Sequence, residues 1–130
     1  MPDFSGIEGS GREVALYRVL RGCGSQDSGF LDYAIALEAA LLGGATTELA
    51  FRFSLNGAIY LRDERDATET FEKLKNVYDV RSKLVHGDRI NPDKRIAAER
   101  DAAELARRVA KRAIETEWPD DKVLRELALG

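Results

Sequence analysis

Apolar residues recur along most of the chain every three to four positions, which is the period of an amphipathic α-helix. We find no convincing run in which apolar and polar residues alternate, the pattern that is typical of a half-buried strand. Only three prolines occur, and the glycines cluster at a few places, so long stretches lack helix breakers. The pattern predicts an all-α fold, a bundle of five to six helices. We expect a flexible segment over residues 1–11 and a single domain over residues 12–130.

Capping signals divide the pattern into elements. Asp66 with Glu69 three positions later predicts the start of the fourth helix, and Asn91 before Pro92 predicts the start of the fifth. Thr46 or Thr47 is the expected N-cap of the third. A loop is expected over Gly22–Ser28, and glycines at 43–44 and 87 are expected to end the second and fourth helices. The predicted helices are 12–21, 29–42, 47–62, 66–86, about 92–116 and 120–128.

Two charged residues occupy positions that the helical period assigns to the core. At about 100° per residue, five apolar residues fall within about 60° of Arg81 on the fourth helix, and five within about 60° of Glu38 on the second. An unpaired buried charge is costly, so we expect Glu38 to contact Arg81, with Arg52 as a further candidate partner. Such a pair either fixes helix register or orients Arg81 toward a phosphate. The expected core contains Leu31, Ile35, Leu42, Leu49, Leu74, Tyr78 and Val85.

The amino-acid composition excludes several kinds of structural and metal site. Cys23 is the only cysteine and His86 the only histidine, which excludes a disulfide framework and multi-histidine metal sites within one chain. The net charge is −3, yet residues 81–112 hold 10 basic and 5 acidic side chains. This segment is either a docking surface for phosphates or a solvated helix with salt bridges. No membrane-length apolar run or secretory signal is present in the sequence, so we expect a cytoplasmic protein without a cofactor.

Arg81 and His86 close the fourth helix just before Gly87. A guanidinium matches phosphate oxygens, and an imidazole gives or takes a proton near neutral pH. RNA cleavage without a metal needs both, since the 2′-hydroxyl loses a proton and charge develops on the phosphorus. On an unbroken helix, however, the two side chains point about 140° apart. They converge only if the helix frays or if two copies meet. A histidine at a helix end also commonly satisfies backbone carbonyls.

The segment Tyr78-Asp-Val-Arg81-Ser82-Lys-Leu-Val-His86-Gly87 resembles the signature helix of HEPN domains of the ApeA-like branch. The upstream segment Leu31-Asp-Tyr-Ala-Ile-Ala-Leu-Glu38-Ala resembles that family's Leu-Glu-Ala helix, and Glu48-Leu-Ala-Phe-Arg52-Phe-Ser-Leu resembles its next helix. Together the matching segments cover about residues 29–90. The resemblance implies an up-and-down helical bundle that forms homodimers, and metal-independent endoribonuclease activity in toxin, antiphage-defence or RNA-processing systems.

By position, the resemblance implies that Arg81 and His86 are catalytic, with Glu38, Arg52, Ser82 and Tyr78 in support. The basic segment adds Lys83, Arg89, Lys94 and Arg95 as candidate RNA-binding residues, and no metal ligand is expected. RNA and a second copy of the chain are the expected partners, with an antitoxin or a larger parent protein as others; no membrane partner is expected. The alternatives are a non-catalytic dimerisation or nucleotide-binding module, and a purely structural bundle.

Overall fold

The computed structural model describes residues 11–24, 29–43 and 45–130. In these residues the chain forms six helices and no strand, which confirms the all-α bundle. The helices are α1 (Gly11–Cys23), α2 (Phe30–Leu41), α3 (Leu49–Tyr60), α4 (Ala67–His86), α5 (Pro92–Glu115) and α6 (Asp121–Leu129).

Helix α2 lies at the centre of the bundle, where it packs against α1, α3, α4 and α5. Its mostly apolar sequence buries Tyr33, Leu37 and Leu41 almost completely. Gly57 on α3 allows the closest approach, because a Cβ there would lie 2.1 Å from the Leu74 side chain of α4 and 3.2 Å from that of Leu41. The bundle therefore brings α2, α3 and α4 together around one glycine.

The predicted caps of α4, α5 and α6 are confirmed. The Asp66 carboxylate accepts a hydrogen bond from the backbone N–H of Glu69, and the Asn91 side chain accepts from Asp93 and Lys94. Asp120 caps α6 in the same way. These side chains satisfy backbone donors that the first turn of a helix leaves free, so the caps were readable from local sequence.

Two predicted boundaries are wrong, and a third is confirmed. Helix α1 continues through Gly22 to Cys23, where we expected a loop to begin. Helix α3 has no threonine N-cap; its cap is Glu48, which adopts a left-handed backbone (φ 53°) without a side-chain cap. Helix α2 ends at Leu41 with Leu42 as its C-cap, and Gly43 then adopts the left-handed backbone (φ 54°) that was predicted to stop this helix. Residues 1–10 of the expected flexible segment, residues 25–28 of the expected loop and Gly44 lie outside the described residues.

The predicted core is correct for Leu74 and partly correct for Leu42 and Tyr78, which pack against the buried cluster. Leu74 is fully buried, whereas Leu31 and Val85 remain 51% and 61% exposed and are corrections to the sequence prediction. The remaining four predicted core residues, Ile35, Leu42, Leu49 and Tyr78, are half-buried. Helical period places a residue on the inward side of its own helix, but no described neighbour covers Leu31 and Val85. No helix in the described part of the chain is long and apolar enough to cross a bilayer.

Candidate functional site

Helix α4 stays regular to its last residue, and this fixes the directions of Arg81 and His86. Gly87 adopts a left-handed conformation (φ 71°), and the N–H of Asp88 reaches back to the carbonyl of Lys83 at 2.9 Å. A glycine tolerates this backbone without strain, so the helix closes immediately after His86. The helix does not fray at His86, and Arg81 and His86 therefore leave it in directions about 140° apart.

The inward side of α4 carries the expected ion pair. Arg81 Nη2 donates a hydrogen bond to Glu38 Oε2 on α2 at 3.4 Å. Arg81 Nε lies 3.0 Å from Oε1, although its N–H is not aimed along that contact. The two side chains are 28% and 24% exposed. The prediction that Glu38 contacts Arg81 is confirmed, and the pair is half-buried rather than fully enclosed.

At Glu38 the effect of burial on the carboxyl pKa is larger than the effect of the attraction to Arg81. Desolvation raises the pKa of the Glu38 carboxyl, and the nearby Arg81 charge and hydrogen bond lower it by less. The ionised carboxylate is therefore held in the pair at some cost to the folded state. Arg81 Nη1 contacts no acceptor among the described residues. The pair thus orients the guanidinium while leaving one edge for another anion.

His86 is exposed at the end of α4, and one of its ring nitrogens is committed. Nδ1 lies 2.8 Å from the backbone carbonyl oxygen of Ser82, one turn earlier. A carbonyl oxygen only accepts, so Nδ1 carries the hydrogen of this bond. In the neutral ring the lone pair is then on Nε2. The arrangement fixes the tautomer of a proton acceptor at the protein surface, and it also matches the alternative reading of a histidine that satisfies a helix-end carbonyl.

A groove of about 710 Å³ runs along a different side of α4 from Arg81. Four of the predicted site residues line it, Tyr78, Ser82, Lys83 and Lys94. Within the groove Asp79 Oδ2 lies 3.3 Å from Lys83 Nζ, and Lys94 Nζ from α5 binds the same oxygen. Residues three, four and seven positions apart share a helix face, so Asp79, Ser82, Lys83 and His86 follow one another along this side. His86 therefore continues this side of α4 one turn beyond Ser82, outside the residues that line the groove.

Two predicted supporting residues contact their surroundings in different ways. The Tyr78 ring packs at a tilt against Phe53, with the ring centroids 5.5 Å apart, so one side of it is held by the core. Arg52 is exposed on α3. Within the described part of the chain its side chain forms no ion pair, either with Glu48 or with Glu38, which pairs with Arg81 instead. Arg52 as a partner of Glu38 is therefore wrong, because α3 turns it to solvent.

The predicted RNA-binding residues also separate. Arg89 is exposed in the connection between α4 and α5, close in sequence to His86. Arg95 is exposed on α5 and pairs with Glu99 one turn later, at 3.2 Å. Lys83 and Lys94 lie in the groove, where they share Asp79. The structure therefore places two of the four cations together.

Sequence reasoning missed Asp79 and a second cluster. The spacing of Asp79 and Lys83 is a common helical ion pair, which was a readable signal, but the arrival of Lys94 depends on how α5 packs. Elsewhere, the Tyr33 hydroxyl donates to Cys23 Sγ at 3.5 Å and accepts from Arg107 at 2.9 Å. The bond from Tyr33 is the largest effect lowering the pKa of the Cys23 thiol, and Arg107 adds to it. This cluster shares no residue with the α4 site.

Comparison with known proteins does not assign a function to this site. No protein-family model, no curated protein and no solved structure matches the chain. Among the described residues, no group of three or more histidine, cysteine, aspartate or glutamate side chains is arranged to hold a metal ion. The resemblance to HEPN domains stays a prediction that rests on its sequence motifs.

Proposed function

We propose that this chain is a HEPN-type endoribonuclease of the ApeA-like branch, which cleaves RNA without a metal by attack of the 2′-hydroxyl. The observation that carries the proposal is the state of His86, whose Nδ1 is anchored on the Ser82 carbonyl while its exposed ring presents Nε2 outward. A general base needs a fixed tautomer and an accessible lone pair, and this residue has both.

The proposed chemistry assigns one task to each group. Nε2 of His86 takes the proton of the 2′-hydroxyl, and a protonated imidazole returns one to the departing 5′-oxygen. Arg81 stabilises the charge that develops on the phosphorus, through the edge that Glu38 leaves unoccupied. Glu38 is a positioning residue, because it touches Arg81 and not the substrate.

Because α4 directs Arg81 and His86 apart, the proposal requires two copies of the chain. Leu41 meets Leu74 beside Gly57 and Glu38 meets Arg81, so α2 and α4 run antiparallel past each other. Leu31 and Val85 lie beyond the ion pair at one end of these helices, and both are more than half exposed. We propose that this apolar edge packs against a second copy, which brings an Arg81 of one chain toward a His86 of the other.

The dimer is tested by charge insertion at that edge. Val85→Asp is expected to give a monomer by light scattering at tens of micromolar, with unchanged helicity and no cleavage. Ile114→Asp is the matched control, since Ile114 is equally exposed on α5, at 63%. A wild-type chain that is monomeric at this concentration, or a Val85→Asp variant that stays dimeric, contradicts this interface.

The nuclease is tested with mixed RNA in the presence and absence of EDTA. We expect cleavage in both, products that end in a 2′,3′-cyclic phosphate, and an uncleaved DNA strand of the same sequence. His86→Ala is expected to lower the rate by about 10²–10⁴-fold. His86→Asn keeps a donor for the Ser82 carbonyl but transfers no proton, so it should be as inactive. Cleavage that EDTA abolishes, or that survives in both variants, rules out this mechanism.

A specific observation favours a second candidate, a non-catalytic nucleotide-binding or dimerisation module. Two of the four predicted RNA-binding cations share an ion pair with Asp79, and a third pairs with Glu99. Under this alternative, His86 only caps the end of α4. Binding of RNA and DNA with equal affinity and no cleavage by the wild-type dimer would support it. The biological setting, in a toxin, defence or RNA-processing system and with an antitoxin or parent protein as partner, follows the resemblance under either candidate.

A further inference from the structure

Two ammonium groups from different helices meet on a single carboxylate oxygen in the groove of α4. Lys83 belongs to α4 itself, and Lys94 to the first turn of α5. Both contact Asp79 Oδ2, and the lysines are 36% and 38% exposed. The hydrogen bond from Lys94 is the largest of the effects that lower the pKa of Asp79, followed among the favourable ones by that from Lys83. The carboxylate is therefore ionised and sits between two cations.

Hydrogen bonds hold the backbone of Lys94 against α4, the helix that carries Lys83. Asn91 caps α5 through its side chain, and Asn76 of α4 donates to the backbone carbonyl of Lys94 at 3.3 Å. One carboxylate neutralises only one of the two ammonium charges, and each ammonium has three donors. The two lysines and Asp79 together therefore keep a net positive charge and free N–H donors. These are the features of an oxyanion site, which here holds a carboxylate of the protein itself.

The surroundings suit a nucleic-acid strand better than a small buried anion. The groove is open to solvent and long enough to follow α4, with the Ser82 hydroxyl and the Asn76 amide among its polar groups. The carbonyl of Ser82, a residue of the groove, holds the His86 ring one turn further along the same side of α4. A strand whose scissile phosphate reaches His86 would carry a neighbouring phosphate past Lys83 and Lys94.

We infer that Lys83 and Lys94 form a phosphate clamp for the RNA backbone, and that Asp79 closes this clamp in the free protein. On binding, a non-bridging phosphate oxygen takes the place of Asp79 Oδ2, and the Asp79 side chain rotates toward solvent. The identity of the strand as RNA rests on the proposed function. Exposed lysine–carboxylate pairs are weak, so a phosphodiester displaces the carboxylate for a small loss of affinity.

Direct binding tests the clamp independently of cleavage. A fluorescent single-stranded oligoribonucleotide is titrated with chains that carry His86→Ala, so that no substrate is consumed. Asp79→Asn is expected to tighten binding about three- to tenfold, because the internal competitor is removed. Glu72→Gln is the matched control, since it removes one negative charge from the same groove without releasing a lysine. Its effect is expected to be under about twofold.

Two further measurements define the clamp. Lys94→Met is expected to weaken binding, to remove the gain from Asp79→Asn in the double variant, and to lower the slope of log affinity against log salt by about 0.7. The salt slope keeps the test decisive if Asp79→Asn folds poorly. Equal gains from Asp79→Asn and Glu72→Gln, or an unchanged slope in Lys94→Met, overturn the clamp.

The outcomes separate the clamp from the proposed nuclease. A wild-type chain that cleaves RNA but shows none of these shifts loses the clamp and keeps the nuclease. A chain that shows all the shifts but never cleaves keeps the clamp and loses the nuclease.

Discussion

On its inward side α4 pairs Arg81 with Glu38 of α2, and on its groove side its own Asp79 pairs with Lys83 and Lys94. The protein shifts the pKa values of these two carboxylates in opposite directions. At Glu38 desolvation is the largest effect and raises the pKa, although Arg81 partly offsets it. At Asp79 the hydrogen bond from Lys94 is the largest effect and lowers the pKa. Glu38 is 24% exposed and Asp79 is 41% exposed.

The difference shows that the pKa of a paired carboxylate rises or falls according to whether desolvation or its favourable contacts are the larger effect. A carboxylate taken partly out of water loses hydration that one guanidinium does not fully replace. At Asp79 the hydrogen bond from Lys94 exceeds the effect of desolvation, and Lys83 adds to it, though each gain is small because water screens it. The inward pair therefore suits positioning, and the groove cluster suits exchange with an outside anion.

Arg81→Ala is expected to have the largest effect on stability, about 1–3 kcal/mol. The substitution leaves a half-buried carboxylate without its partner. The loss should shrink at acid pH, because Glu38 then takes up a proton. Urea unfolding at several pH values measures it. Lys83→Ala, which removes one partner of Asp79 on the groove side, is the control and should lose under about 1 kcal/mol. Similar losses for the two variants would erase the contrast between the two sides.

Glu38→Ala is expected to destabilise the chain by about 1–2 kcal/mol, less than Arg81→Ala. It removes the acceptor for Arg81 and some packing, but it also removes a carboxylate that desolvation disfavours. Glu69→Ala is the control, since Glu69 is 62% exposed and pairs only with Lys73 one turn away. That variant should lose under about 0.5 kcal/mol. Identical melting temperatures for the two would mean that the inward pair behaves as a surface pair.

Two acid-to-amide substitutions are expected to act with opposite sign at neutral pH. Glu38→Gln mimics the protonated side chain that the fold favours, so stability should be unchanged or raised by up to about 1 kcal/mol. Asp79→Asn removes a charge that the fold favours, so stability should fall by about 0.2–1 kcal/mol. Paired denaturant titrations give both values. A clear loss in Glu38→Gln would show that attraction, not desolvation, dominates at that site.

The smallest expected effect is the pH dependence of the wild type. Because the folded pKa of Glu38 is raised, the unfolded chain loses this proton first, and stability falls with pH between the usual glutamate pKa and the raised one. Because the folded pKa of Asp79 is lowered, its contribution is present above the usual aspartate pKa and is lost as pH falls through the lowered one.

The free energy of unfolding, measured from about pH 3 to about pH 7, tests both of these pH ranges. Glu38→Gln should remove the decline on the upper side, and Asp79→Asn should remove the loss on the acid side. Glu69→Ala should leave both slopes in place. The free energy of unfolding of the wild type minus that of Glu38→Gln should fall with pH. If this difference rises with pH instead, the direction assigned to the pKa shift of Glu38 is wrong.

Local sequence was sufficient for the helices and for most of their ends. Asp66 and Asn91 act on backbone groups within three residues, and Gly87 supplies a left-handed backbone at its own position. Such interactions do not depend on the rest of the fold. The boundary at Glu48 failed because its left-handed conformation is not one that a glutamate usually adopts.

For the candidate site, too, the sequence predicted some contacts correctly and others wrongly. The helical period alone was enough to pair Glu38 with Arg81, since two charges on apolar stripes had few other partners. The same period gave Leu31 and Val85 to the core, and both are exposed because burial needs a neighbour that sequence period does not supply.

The sequence by itself determined six helical segments, the N-caps of α4, α5 and α6, and the inward direction of Glu38 and Arg81. These follow from contacts within one turn and from a fixed angle per residue. Tertiary packing alone decided that Lys94 joins Lys83 on Asp79, that Arg52 faces water, and that an apolar edge stays uncovered beside the ion pair. These outcomes depend on the distances between helices, which no local pattern encodes. The same packing sets how much water remains around each carboxylate, and through it the opposite pKa shifts of Glu38 and Asp79.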